Sequence, residues 1–186
     1  MRRINQLSAM SGADYWAVKP KSVTITTVEP PDWSTNRTSY YYYSGGSLVQ
    51  AGSSDTWTAN KYYFNTNTIY KIFVPSMDLK HQKTNLTGSS TGWTEAGENV
   101  IDWIRPKIFK VNLAYKAMTE SELCYMADLI DGKEFYFYYR DLKTVYDSGK
   151  SAYCGEMTYT QIANDMGYGE PIYKECQMNV VQTWRD

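Results

Sequence analysis

The sequence holds a single histidine, which excludes any site built from several imidazoles and leaves at most one imidazole base. Neither sign of charge is in surplus: 19 Lys and Arg stand against 20 Asp and Glu, a formal net charge of -1. A chain so balanced has no overall pull on nucleic acid or on an anionic membrane, because both require a basic excess to neutralise phosphates. Three cysteines, Cys124, Cys154 and Cys176, are odd in number and far apart. They read as small buried or half-buried apolar residues, not as a disulfide framework or a zinc site. No stretch approaches the roughly 18 consecutive apolar residues of a membrane-spanning helix, so no membrane span is expected. Arg2 and Arg3 have no apolar run behind them, which is not the pattern of a secretory signal.

Catalytic motifs are missing as well. There is no glycine-rich phosphate loop, HExxH, CxxC or GxSxG. His81 lies in the polar run Leu79 to Lys83, which reads as an exposed loop. Asp128, Asp131, Glu134, Asp141 and Glu156 are spread over different elements and read as solvated surface. The expectation is therefore a non-enzyme with no catalytic residues, no cofactor and no metal. Arg105, Lys107 and Lys110 flank or face outward from a strand, so no nucleic-acid specificity is expected either.

What the chain does have is aromatic residues: 18 Tyr, 6 Trp and 5 Phe, 16% of the sequence. Such a composition suits β-strands and contact surfaces and excludes a disordered chain. In the C-terminal half these residues fall into a regular pattern. Phe109, Val111, Leu113 and Tyr115 alternate with Lys110 and Asn112, a half-buried strand. Thr119-Glu-Ser-Glu122 is a capping box. Leu123, Met126, Ala127 and Ile130 follow at helical spacing, and Gly132 stands where a helix ends; the spacing predicts a helix at about 119–131. From Lys133 the period changes to two. Phe135, Phe137 and Tyr139 share one face and Tyr136 and Tyr138 the other, so both faces are expected to be covered. A turn at Asp147 to Gly149 leads to a strand around Ser151 to Tyr159. The last strand sets Cys176, Met178 and Val180 against Glu175, Gln177 and Asn179. Near the start, a strand candidate places Val23, Ile25 and Thr27 on one face before Pro30 and Pro31 stop it.

Residues 32–100 are different: polar, aromatic and poor in charge, with Tyr40-Tyr-Tyr-Tyr43, Trp57, Tyr62-Tyr-Phe64 and Tyr70 set among Gly, Ser, Thr and Asn. These residues suggest strand pieces of an extended arm or β-ribbon that lacks a core of its own, so that its rings would need a partner. The candidate subunit-contact residues are Tyr40, Tyr41, Tyr42, Tyr43, Trp57, Tyr62, Tyr63, Phe64 and Tyr70. Tyrosine supplies rigid contact area at low entropic cost, and it also stacks on sugar rings. A sugar platform needs its rings on one face, whereas a run of four tyrosines points to both, which favours burial between chains over glycan binding. The organisation read from the sequence is a β domain of residues 1–31 and 101–186 with one helix, interrupted by an inserted arm at 32–100. Its fold class is α+β, mainly β: an antiparallel sandwich or split barrel with one flanking helix and a long β-rich insertion.

Five stretches carry a resemblance: Pro20-Lys-Ser-Val-Thr-Ile25, Ile104-Arg-Pro-Lys-Ile-Phe-Lys-Val111, Met118-Thr-Glu-Ser-Glu-Leu123, Phe135-Tyr-Phe-Tyr-Tyr-Arg-Asp141 and Tyr153-Cys-Gly-Glu-Met157. In this order they resemble a family of small tail-module proteins of tailed bacteriophages and prophages, a domain of unknown function. The resemblance covers roughly 18–30 and 101–184; the insertion is its departure. It implies a fold like that of tail-tube and distal-tail proteins and a structural role in a ring at the tail tip or baseplate. The implied partners are further copies of the chain and neighbouring tube, hub or baseplate proteins. The implied location is the virion tail, after folding in the host bacterial cytoplasm. The alternative reading is a carbohydrate-binding or adhesin module that takes host glycans on the Tyr and Trp rings of the insertion.

Overall fold

The structure, a computed structural model, describes residues 16–73, 75, 80–87, 92–93, 99–100, 103–139, 149–163 and 169–183. It is mainly β with antiparallel pairing throughout, in the α+β class read from the sequence. In chain order the elements are β1 (Ala17–Pro20), β2 (Thr24–Ile25), the one-turn helix α1 (Trp33–Asn36), β3 (Tyr40–Ser44), β4 (Ser47–Gln50), β5 (Tyr63–Phe64), β6 (Tyr70–Lys71), β7 (Lys80–Thr87), β8 (Gly92–Trp93), β9 (Asn99–Val100), β10 (Trp103–Thr119), α2 (Glu120–Ile130), β11 (Glu134–Tyr138), β12 (Lys150–Ala163) and β13 (Ile172–Gln182). A large sheet runs β6-β1-β11-β12-β13-β10-β7 and a small one runs β2-β5-β3-β4, while β8 and β9 pair with each other. Among the described residues no helix is long and apolar enough to cross a membrane.

The C-terminal elements form where the periodicities place them. In β10 the side chains of Phe109, Val111, Leu113 and Tyr115 are buried and Lys110 is exposed. At the start of α2 the Thr119 hydroxyl accepts from the Glu122 N–H at 3.3 Å, and the Glu122 carboxylate accepts from the Thr119 N–H at 3.0 Å. Both otherwise orphaned donors are thereby satisfied. The helix ends at Ile130, and Gly132 takes φ +62°, a left-handed conformation that favours glycine. β11 and β12 form the expected hairpin, although Asp147 and Ser148 of its turn lie outside the described residues. β13 buries Cys176, Met178 and Val180. Strand β11 is covered less fully than expected, since Tyr138 is buried but Tyr136 is exposed.

Two strand readings are corrected. The lead strand is β1, and the following β2 has its faces inverted: Thr24 and Thr26 are buried while Val23 is exposed. The reason is cross-strand. Thr24 lies opposite Phe64 in the small sheet, whose inner face is already filled by rings, so small hydroxyl residues fit there. The Thr26 side chain donates to the Tyr62 carbonyl at 3.1 Å, which meets the cost of its burial. Of the run containing His81, Lys80 to Lys83 is not a loop but part of β7, paired with β10, and Leu79 lies outside the described residues.

The arm reading is corrected too. β6 lies beside β1 at one edge of the large sheet and β7 beside β10 at the other, so both sheet edges come from residues 32–100. Tyr40, Tyr62, Phe64 and Tyr70 share one continuous core with β1, β10, α2 and β11. Helix α2 touches β1 and β10 of the large sheet and β2 of the small one. Its Tyr125 ring lies 6.1 Å from Phe64 and 5.7 Å from Phe73. Rings that looked partnerless in sequence are partnered by this helix.

Candidate assembly surface

The nine candidate rings separate by the pleat of the small sheet. Successive residues of a strand point to opposite faces, so Tyr40 and Tyr42 face one way and Tyr41 and Tyr43 the other. Register carries this across the sheet: Tyr40 lies opposite Phe64, and Tyr41 opposite Tyr63. The inner face holds Tyr40 and Phe64, with Tyr62 and Tyr70 packed around them, and the Trp33 ring of α1 lies tilted against Tyr62 at 4.5 Å and Tyr40 at 5.3 Å. Burial removes Tyr40, Tyr62, Phe64 and Tyr70 from any contact surface. Tyr42 and Trp57 are half-buried against the same core, and the Lys61 ammonium covers Tyr42 from 4.6 Å.

Four buried phenols also tie neighbouring chain to the core. Tyr40 donates to the Asp32 carboxylate, Tyr62 to the Thr56 carbonyl at 3.2 Å and Tyr125 to the Lys71 carbonyl at 2.9 Å. Tyr70 donates to Ser39 O at 3.2 Å and accepts from the Asn65 N–H at 2.7 Å. Burial, and after it the Asp32 carboxylate, holds the Tyr40 phenol far above the usual tyrosine range; burial does the same for Tyr70 and Tyr125. These hydroxyls are structural, because a buried Tyr must find a hydrogen-bond partner.

The outer face keeps Tyr41, Tyr43 and Tyr63, joined by Leu48 opposite Tyr43 and by Ile25 opposite Tyr63. Tyr43 is 57% exposed and Leu48 40%. The Tyr43 and Tyr63 rings meet edge to face, 5.3 Å apart at 88°. None of these five residues is charged. The face is offered on a tight hairpin: Gly45 and Gly46, at φ +57° and +82°, make the two-residue turn between β3 and β4. β4 is the outermost strand of this sheet, and all four of its residues are exposed. Of the nine candidates, the fold thus leaves Tyr43 exposed, with Tyr41 and Tyr63 half-buried beside it, next to a strand edge that no other described strand pairs.

Other surface features have less to offer chemically. A cleft of about 590 Å³ is lined by Asp32, Asn36, Lys71, Phe73 and Tyr125 among others. Its polar groups are committed to the fold, since Asp32 is held by Tyr40 and by Asn36 Nδ2 at 3.2 Å. Among the described residues, no three His, Cys, Asp or Glu side chains gather as a metal site. The cysteines are free: Cys176 is buried and Cys124 and Cys154 half-buried. Burial pushes the Cys154 thiol up to about 11, so it is protonated and weakly nucleophilic at neutral pH. Sequence reading missed Asp128. Far from being solvated surface, it is buried in α2 and accepts from the Thr27 N–H at 2.8 Å and the Thr27 hydroxyl at 2.9 Å. Nothing in its local sequence marks it, because its partner lies about a hundred residues away.

Comparison with protein-family models, with curated proteins and with solved structures finds no match.

Proposed function

We propose that this chain is a non-enzymatic structural protein that assembles through its strand edges and the outer aromatic face of the small sheet. The setting is the one the sequence resemblance implies: a ring at the tip or baseplate of a phage or phage-derived tail. One observation carries the assembly reading. The exposed Tyr43 and Leu48 and the half-buried Tyr41 and Tyr63 form an uncharged face next to an edge of β4 that no other described strand pairs, while Tyr40, Tyr62, Phe64 and Tyr70 are buried in the core. Rigid aromatic residues on a sheet surface supply contact area with little side-chain entropy to lose. An open edge supplies main-chain hydrogen bonds to a neighbour.

Light scattering and negative-stain imaging of the purified protein test the reading. The wild type is expected to form discrete oligomers, and Tyr43→Ser with Tyr63→Ser to weaken them without lowering the melting temperature. A wild type that stays monomeric and never enters a particle would overturn it.

A second reading is favoured by the same face: with the inner rings buried, the remaining tyrosines do lie on one side, as a glycan platform requires. The edge-to-face setting of Tyr43 and Tyr63 presents one ring edge where a flat platform would present two faces, which places glycan binding second. Glycan-array binding that is lost in Tyr63→Ala while assembly persists would reverse that order.

A further inference from the structure

Besides the outer strand β6, the large sheet has two unlike stretches with a side that no described strand pairs. Past Tyr153, strand β12 outruns β11. From Cys154 to Thr160 it is paired to β13 on one side, and among the described strands none lies on the other. Register shifts at Cys154/Glu156 and Thr158/Thr160 bend this hairpin, and a groove of about 400 Å³ opens between it and α2. Leu123, Cys124 and Ala127 of the helix form one wall of the groove, and Cys154, Met157 and Tyr173 line the strand side. The charged groups lining it are Glu120, Asp131 and Glu156, all acidic and all exposed. Tyr159 and Ile162 farther along the strand are 53% and 48% exposed. Edge strands are commonly blunted by lysine, proline, other charges or bulges; Cys154 to Thr160 has no lysine or proline and carries the two register shifts and Glu156 instead.

The other stretch is the outer strand β7, which among the described strands pairs with β10 alone. Within Lys80–Thr87 the sequence places Lys80 and Lys83 and no acidic residue, and the neighbouring β10 adds the exposed Lys110 at the register position of Gln82. The overhang of β12 thus has Glu120, Asp131 and Glu156 along its groove, whereas β7 has lysine at positions 80 and 83 of its sequence and no acidic residue.

We infer that the occupant of the β12 edge is a second copy of the chain, whose β7 lies along Cys154 to Thr160 and continues the sheet from one molecule into the next. Main-chain hydrogen bonds supply the attraction, the groove receives alternate side chains, and the opposed charges set the partner and its direction. The contact is head-to-tail. Each copy keeps one unused edge of each kind, so repetition yields a closed ring when the rotation per copy closes and a filament when it does not. The inference rests on the proposed assembly role and specifies the contact that would build it.

The test is a charge swap across the two edges, read by sedimentation velocity. Wild type is expected to self-associate in low salt and to weaken at high salt. Asp131→Lys with Glu156→Lys in one chain, and Lys80→Glu with Lys83→Glu in another, are each expected to weaken self-association about tenfold or more. Mixing the two variants is expected to restore assembly, since each then meets a complementary edge; misfolded chains could not do this. A wild type that stays monomeric overturns both this inference and the assembly role. A mixture that fails to reassemble, or edge variants that assemble like wild type while Tyr43→Ser with Tyr63→Ser does not, overturns the edge contact and leaves the assembly role standing.

Discussion

Tyr40 and Tyr43 sit three residues apart in one run of four tyrosines and have opposite employment. Tyr40 is sealed in the core with its hydroxyl on the Asp32 carboxylate, whereas Tyr43 stands in solvent. Tyr40→Phe keeps the ring and leaves a carboxylate short of a donor, so it is expected to cost about 1–3 kcal/mol in urea denaturation. Tyr43→Ser is expected to stay within about 0.5 kcal/mol of wild type, as exposed substitutions do. A larger loss from Tyr43→Ser than from Tyr40→Phe would contradict the assignment of faces. Alternation along Tyr40 to Tyr43 was legible in sequence. Which face meets the core was not, because that depends on Phe64, Tyr70 and Tyr125 arriving from elsewhere in the chain.

Helix α2 is the element most plainly written in the sequence, and the one whose setting was least visible. Its capping box is local, and Thr119→Ala is expected to cost about 1 kcal/mol. A second support of its first turn is not local: the Glu170 carboxylate accepts from the Ser121 N–H at 2.9 Å and from the Ser121 hydroxyl at 2.5 Å. These bonds, at the positive end of the helix, hold the Glu170 carboxyl below its usual range, the hydroxyl bond most. A depressed folded value stabilises the native state above the ordinary glutamate pKa of about 4.3, and that contribution disappears as pH falls through the folded value. Glu170→Gln is therefore expected to lower urea stability slightly at pH 7 and to match wild type in strong acid. A difference that persists unchanged at low pH would rule out the ionic contribution. Glu170 precedes β13, about fifty residues from Ser121, and no sequence rule connects the two.

For the molecule as a whole, the single aromatic core ties folding to tyrosine protonation. Burial raises the phenols of Tyr40, Tyr70, Tyr115 and Tyr125 above the ordinary value. Their stabilisation is complete below about pH 10, the unfolded tyrosine value, and is lost as pH rises from there, since the unfolded chain then releases protons that the native chain retains. Absorbance at 295 nm is expected to rise in two steps, the second coinciding with loss of the near-ultraviolet circular dichroism. All tyrosines titrating in one step with that dichroism intact would show that the rings are not buried together.

The strands and helix of the C-terminal half were readable because their periods, cap and turn are local features that secondary structure obeys directly. The same local signals gave the right alternation but the wrong exposure at Val23 and Thr24, and the right rings but the wrong partner at Tyr40, Tyr62, Phe64 and Tyr70. Burial is decided by what packs on the other side of a strand, and here that is a helix and a second sheet contributed by segments distant in the chain. Composition alone requires that 16% aromatic residues be covered somewhere. Long-range packing divides them into those the molecule covers itself and those it leaves exposed, such as Tyr43 in the small sheet.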